Sequence, residues 1–107
     1  MQKIIPISIN DIIADEENCS EMLNHACLRG ESWRVSGGGV IGGTFWTVLE
    51  NVVGADSKPT VTYRFARLCQ PGAGKIPAAA QARWSAGFTI LAIFEMSNNV
   101  WALFSSK

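Results

Sequence analysis

The sequence predicts an α+β domain made of two β-α-β-β units in tandem, with an antiparallel sheet of about six strands and two helices on one face. Alternating apolar residues predict the strands, and two helical segments each run into a glycine. An offset of 55 residues aligns the apolar pattern of the two halves, which cover about residues 1–53 and 58–107 of one domain. Whether the halves share one sheet or form two stays open.

The order of elements supports this offset more than identical residues do. Trp33 falls on Phe88 and Trp46 on Trp101, and only the second pair is an identity. Two amphipathic hairpins can match by chance, because an alternation with a period of two restricts the choice of residues. In each half, however, an extended run and a helix precede the hairpin, so the shared order favours a tandem duplication.

The first half begins with a strand over residues 3–9. Pro6 predicts that this strand lies at a sheet edge or carries a bulge at that residue, because proline donates no ladder hydrogen bond. Residues 10–17 form either a helical turn or a loop that fills the core. A helix is predicted to begin near Asn18, whose side chain caps the first turn, and Glu21 completes a capping box.

Leu23 and Cys27 provide the apolar stripe of this first helix, and Gly30 ends it. A linker rich in turn-forming residues, 51–59, separates the two halves. The hairpin between helix and linker has a strand from Trp33, a turn region over 37–43 and a strand over 44–49.

The second half repeats this order, beginning with a strand over residues 60–68. Pro77 is predicted to be the first residue of a helix, where its missing N–H costs nothing, and Gly87 ends that helix. The closing hairpin has a strand over 88–94, a tight turn at Asn98-Asn99 and a strand over 100–104.

Residues 88–94 are almost all apolar, which predicts a strand covered on both faces. Two short helices cannot cover both faces of a sheet, so a homodimer that packs sheet against sheet is predicted. The composition agrees, since charged residues make up only 17% of the chain, against about 25% in a typical domain. Apolar surface therefore has to be covered, either by an oligomer interface or by a ligand.

A helix that ends in glycine, a strand led by tryptophan, a Gly/Asn turn and an aromatic-rich strand resemble certain small bacterial domains of unknown function. In those domains the helix ends in a Glu-Gly-Trp-like motif. Here the first half reads Gly30-Glu31-Ser32-Trp33 and the second reads Gly87-Phe88, so both depart from the motif. The resemblance covers most of each half. It implies the β-α-β-β architecture and carries no catalytic residue across.

Charge and cysteine content argue against several classes of function. The net charge is zero and no basic stripe is present, so nucleic-acid binding is not expected. Three cysteines without CxxC spacing or a histidine cluster argue against a disulfide framework and a metal site. The longest apolar run is too short to span a bilayer, and residues 1–10 lack the features of a signal peptide. A cytoplasmic protein without membrane contact or cofactor is predicted.

Three motifs suggest chemistry, and each has a simpler structural explanation. Residues 37–42 contain GxGxxG, but a β run follows where a dinucleotide site needs a helix; a bulged hairpin is favoured over a phosphate-binding nest. His25 is the only histidine, and a surface position is favoured over pairing with Cys19 or Cys69. The carboxylates within residues 11–17 indicate a solvated loop rather than a cation site.

Aromatic residues are the strongest functional indication, because they can line a pocket for an apolar or flat ligand. The sequence favours a non-enzymatic protein that binds a small apolar molecule or a protein partner. The alternative is a structural or assembly protein that acts through a homo-oligomeric sheet face, and the third hypothesis is a small enzyme that uses His25 or a cysteine. The predicted ligand-binding residues are Trp33, Trp46, Tyr63, Trp84 and Trp101.

Overall fold

The structure, a computed structural model, describes residues 1–28, 33–51, 61–72 and 74–106. Its first half contains β1 (Gln2–Ser8), α1 (Ile9–Ala14), α2 (Glu16–Leu28), β2 (Trp33–Ile41) and β3 (Thr44–Asn51). Its second half contains β4 (Tyr63–Cys69), α3 (Lys75–Ser85), β5 (Phe88–Met96) and β6 (Asn99–Ser106). The predicted α+β class and its six antiparallel strands are confirmed.

The six strands form two three-stranded sheets. Sheet 1 has the strand order β1-β3-β2, and sheet 2 has the equivalent order β4-β6-β5. Phe45 of sheet 1 packs against Phe65 and Phe94 of sheet 2, with ring centroids 5.6 and 5.1 Å apart. Stacking buries the apolar faces of the two sheets against each other. In a single six-stranded sheet with two short helices on one face, the other face would have stayed exposed.

The two hairpins match at the offset of 55 residues seen in the sequence. Each ladder contains one bulge, which leaves Ser36 unpaired in β2 and Leu91 unpaired in β5, at equivalent positions. The ends of the ladders are also equivalent: Trp33 pairs with Asn51, and Phe88 pairs with Ser106. The halves therefore share element order and register, while their origin by duplication stays a prediction.

Both hairpins close with a two-residue turn. Gly42 and Gly43 have φ values of 56° and 80°, and Ser97 and Asn98 have values of 51° and 60°. Two-residue hairpin turns need positive φ at both positions, which glycine adopts without strain. The predicted turn over 37–43 is therefore too long, because its first five residues pair with β3 instead. The predicted turn at Asn98-Asn99 begins one residue too late.

Helix α2 begins at Glu16, two residues before the predicted start. Asp15 caps it, because its Oδ1 accepts a hydrogen bond of 3.0 Å from the N–H of Asn18. The prediction of a cap at Asn18 with Glu21 is therefore wrong. The open question about residues 10–17 is also answered, since α1 forms there and Ile12 is fully buried.

Helix α3 begins at Lys75, so Pro77 lies third in its first turn rather than first. Gly87 follows the helix with a φ of 96° and donates its N–H to the carbonyl oxygen of Trp84, which confirms the predicted stop. The equivalent stop at Gly30 and the linker beyond Asn51 lie outside the described residues.

Both faces of sheet 2 pack against other elements. One face, with Ala66, Ala102 and Phe104, packs against α3. The other face, with Phe65 and Leu103, packs against sheet 1. On the face toward sheet 1, β5 is covered by the first half of the same chain, so this face does not require a second copy. On the face toward α3, coverage is incomplete, since Ile93 is exposed, so the prediction of a strand covered on both faces is only partly met.

Candidate functional site

Three of the five aromatic residues predicted to bind a ligand belong to the core. Trp33 and Tyr63 are buried between the sheets, and Trp101 is half-buried beside them. The hydroxyl group of Tyr63 accepts a hydrogen bond of 3.0 Å from the N–H of Val35, which ties sheet 2 to sheet 1. The indole N–H of Trp101 has no hydrogen-bond partner among the described residues. These side chains pack in the core, and Tyr63 also contributes to the wall of a groove beside α2.

The other two aromatics, Trp46 and Trp84, are exposed on different layers of the molecule. Trp46 is 39% exposed on β3, and Trp84 is 53% exposed on α3. Because α3 covers sheet 2 on the side away from sheet 1, the two indoles lie on opposite sides of the stacked sheets. The five predicted residues therefore do not meet in one site.

Trp46 belongs to the outer face of sheet 1, which is apolar. Residues that are directly paired in an antiparallel sheet point to the same face. Trp46 pairs with Pro6 on one side and Gly39 on the other, and Val48 pairs with Ile4 and Gly37. Ile41 lies on the same face through its pairing with Thr44. We name this surface the open face; its apolar centre comprises Ile4, Pro6, Gly37, Gly39, Trp46 and Val48, with Ser8, Thr44 and Ile41 at one end and Gln2, Glu50 and Arg34 at the other.

The open face is exposed and has an uneven relief. Ile4 is 59% exposed, and Pro6 beside it is also exposed, so the β1 side forms a ridge. On the β2 side, no atom lies within 4 Å of where a Cβ would stand on Gly37 or Gly39, which leaves a trough. Trp46 stands on the central strand between ridge and trough.

The equivalent face of the second half is not exposed. At the offset of 55 residues, Trp46 corresponds to Trp101 and Val48 corresponds to Leu103. Leu103 is fully buried and Trp101 is half-buried, because this face of sheet 2 packs against sheet 1. The chain thus buries one copy of this face internally and leaves the other open.

The edge of β1 is a poor site for strand addition. The N–H of Asn51 bonds to the carbonyl of Met1, and the N–H of Ile9 bonds to that of Gly43. In this pattern the odd-numbered residues of β1 bond to β3, so the N–H and C=O groups that point away from the sheet belong to even-numbered residues. Pro6 is one of these residues and has no N–H. A strand added at the β1 edge would therefore lack one ladder hydrogen bond at Pro6.

A groove of about 720 Å³ runs between α2 and β4. Two polar side chains in its wall complete the backbone bonding of β4: Asn24 bonds both the N–H and the carbonyl of Tyr63, at 2.6 and 2.9 Å, and Ser20 accepts from the N–H of Phe65 at 2.9 Å. The remaining polar lining is Asp15, Glu16, Glu17, Glu21, Thr62 and Arg64. Within the described residues no three acidic, histidine or cysteine side chains are placed so that they could hold a metal ion together. Ile13, Ala14, Tyr63 and Phe65 also line the groove, so its wall is mixed in polarity.

The two buried cysteines, Cys19 and Cys27, do not support nucleophilic chemistry. Desolvation raises the pKa of Cys27 to about 11, against a smaller lowering by Lys3. Burial, reinforced by Asp11 and Asp15, also raises the pKa of Cys19. Both groups therefore remain thiols at neutral pH, while the nucleophile would be the thiolate. His25 is exposed on α2.

The glycine-rich segment is structural as well. Residues 37–41 belong to β2, and β3 follows the turn at Gly42-Gly43, so the helix that a dinucleotide site needs is not there. Within the described part of the chain, no helix combines the length and the apolar character needed to cross a membrane.

No protein-family model matches the chain, and searches of curated proteins and of solved structures also find no match. The resemblance to small bacterial domains therefore stays a prediction. Function has to be argued from the surface itself.

Proposed function

We propose that this protein is a non-enzymatic binding module whose open face docks against an apolar surface of a protein partner. The observation that carries the proposal is the contrast between equivalent faces. The second half buries this face through Leu103 and Trp101, while the first half leaves Trp46 and Ile4 in solvent. Contiguous exposed apolar surface is typical of protein interaction sites.

The shape of the open face favours a protein over a small molecule. Small-molecule sites are concave and enclose most of their ligand. The open face lies on three extended strands, and the trough over Gly37 and Gly39 is a shallow depression rather than an enclosed cavity. The groove beside α2 is concave, but four carboxylates line it, which disfavours an apolar ligand.

A reducing compartment suits this chain. Its cysteines are free, and Cys19 and Cys27 are buried in the core. We therefore propose a cytoplasmic location, in which buried thiols persist without pairing.

The proposal is tested by side-chain footprinting of the purified chain, diluted into buffer and into cell extract. Hydroxyl-radical oxidation of Ile4, Ile41 and Trp46 is expected to fall in the extract, because a bound partner excludes the radical from the open face. Ile93, which is 47% exposed away from this face, serves as the internal control and should be oxidised equally in both. Equal oxidation of Trp46 in buffer and extract, together with no change in its oxidation as the purified chain is concentrated, would refute the proposal.

A further inference from the structure

We infer that the partner of the open face is a second copy of this chain, packed face to face about a two-fold axis that runs along β3. This inference rests on the proposed function and adds the identity and orientation of the partner. A two-fold interface brings the same surface of both copies together, so that surface has to complement itself in shape and charge.

The relief of the open face is self-complementary about this axis. Rotation about this axis places β1 of one copy over β2 of the other, while residues at the same height along the strands stay at the same height. Ile4 and Gly37 share one level, since both pair with Val48, and Pro6 and Gly39 share the next through Trp46. The ridge of one copy therefore lies over the trough of the other. The glycines leave the space that the ridge needs.

The charged end of the face favours the same orientation. Glu50 is flanked by Gln2 on β1 and Arg34 on β2, and Gln2 donates a hydrogen bond to it at 3.3 Å. An axis along β3 places each Arg34 over Gln2 of the second copy and sets the two Glu50 carboxylates opposite each other, with the two Arg34 side chains on either side of them. An axis across the strands would instead place this row over Ser8, Thr44 and Ile41, so that Arg34 would lie over an exposed apolar side chain and away from Glu50 of the second copy.

The small area of the open face predicts a weak dimer. Three strands about 4.8 Å apart and seven residues of about 3.3 Å each give an area of roughly 300 Å² per copy. Stable complexes bury about 800 Å² per partner, so this dimer should be weak and should form as concentration rises. The formal net charge of zero leaves no long-range repulsion between the copies.

The first test measures the solution mass by sedimentation velocity at protein concentrations between about 10 μM and 1 mM, because a dimer with so small an interface should dissociate at low concentration. Wild type is expected to shift from monomer to dimer. Gly39→Val fills the trough and should weaken the dimer at least tenfold, while its fold is retained because the added side chain meets open space. Ile93→Lys, a change at an exposed apolar residue elsewhere, should dimerise as wild type does. A wild type that stays monomeric, or a Gly39→Val variant that dimerises equally, would overturn the inference.

The second test resolves the orientation. Variants with one added surface cysteine are made in a Cys69→Ser background, in which the remaining Cys19 and Cys27 are buried, then mixed in pairs and treated with a short bismaleimide. The pair Ile4→Cys and Gly37→Cys should cross-link, whereas an axis across the strands would link Ile4→Cys to Pro6→Cys, and that result would overturn the inference. The two proposals can fail separately. If the purified chain stays monomeric while Trp46 is protected in extract, the open face docks a different protein and only the second copy is refuted.

Discussion

Replacing Gly38 by alanine tests the packing of the two sheets on each other. Gly38 pairs with Thr47 on the inner face of sheet 1. A Cβ at this position would lie 2.6 Å from Cζ of Phe45 and 2.8 Å from the carbonyl oxygen of Trp46. Phe45 is fully buried, and its ring is held between Phe65 and Phe94 of sheet 2. Neither the ring nor the backbone oxygen can move away without disturbing a packed neighbour.

The magnitude follows from two opposing effects. Overpacking a filled core costs about 1–3 kcal/mol. Alanine in place of glycine within a strand raises the unfolding free energy by about 0.5–1 kcal/mol, because alanine gives the unfolded chain less conformational entropy to lose on folding. The Gly38→Ala variant is therefore expected to lose about 1–2 kcal/mol of unfolding free energy. For a domain of this size that corresponds to a Tm lower by about 5–15 °C.

Two neighbouring glycines supply matched controls. A Cβ on Gly37 or Gly39 meets no atom within 4 Å, so Gly37→Ala and Gly39→Ala should be neutral or stabilised by about 0.5–1 kcal/mol. Urea unfolding followed by circular dichroism measures the difference, with an unchanged m-value showing that only stability has changed. If Gly38→Ala unfolds at the same urea concentration as Gly39→Ala, the proposed contact between Gly38 and Phe45 does not limit packing.

Three further predictions concern the core, a turn and a buried thiol. Thr47→Val should raise the unfolding free energy by about 1 kcal/mol, because the Thr47 hydroxyl is buried without a partner among the described residues; a loss of stability in urea would reveal a bond from that hydroxyl. Ser97→Gly should raise stability by about 0.5 kcal/mol, since Ser97 has a positive φ; an unchanged Tm would contradict this. The pKa of Cys27 is raised to about 11, so folding favours its thiol. That stabilisation is complete below about pH 9 and is lost as pH rises to about 11, so wild-type stability should fall more steeply across this window than that of Cys27→Ala; parallel profiles would refute it.

Local patterns were sufficient to predict the strands and the edge position of β1. Apolar alternation follows directly from the pleat, and Pro6 cannot donate in the middle of a sheet, so both inferences need only neighbouring residues. The start of α2 was harder, because Asp15 and Asn18 are equally good capping residues. The choice between them depends on α1, which forms because Ile12 is buried beneath it.

The division into two sheets was not predictable from local patterns. It depends on contacts between residues far apart in the chain, such as Phe45 with Phe65 and Phe94. The same is true of the open face. Trp46 and Trp101 have equivalent positions in their hairpins, yet only Trp46 faces solvent, because sheet 2 contributes its equivalent face to the stack. Periodicity identifies which residues share a face and leaves open which face is covered.

If a second copy docks on the open face, Trp46 is exposed in the monomer and covered in the dimer. The most direct measurement is the oxidation of Trp46 by hydroxyl radicals in the purified protein as its concentration is raised to about 1 mM, with Trp84 as the reference. Oxidation of Trp46 is expected to fall with concentration while that of Trp84, on the far side of the stack, stays constant. A Trp46 signal that does not change with concentration would contradict the docking of a second copy.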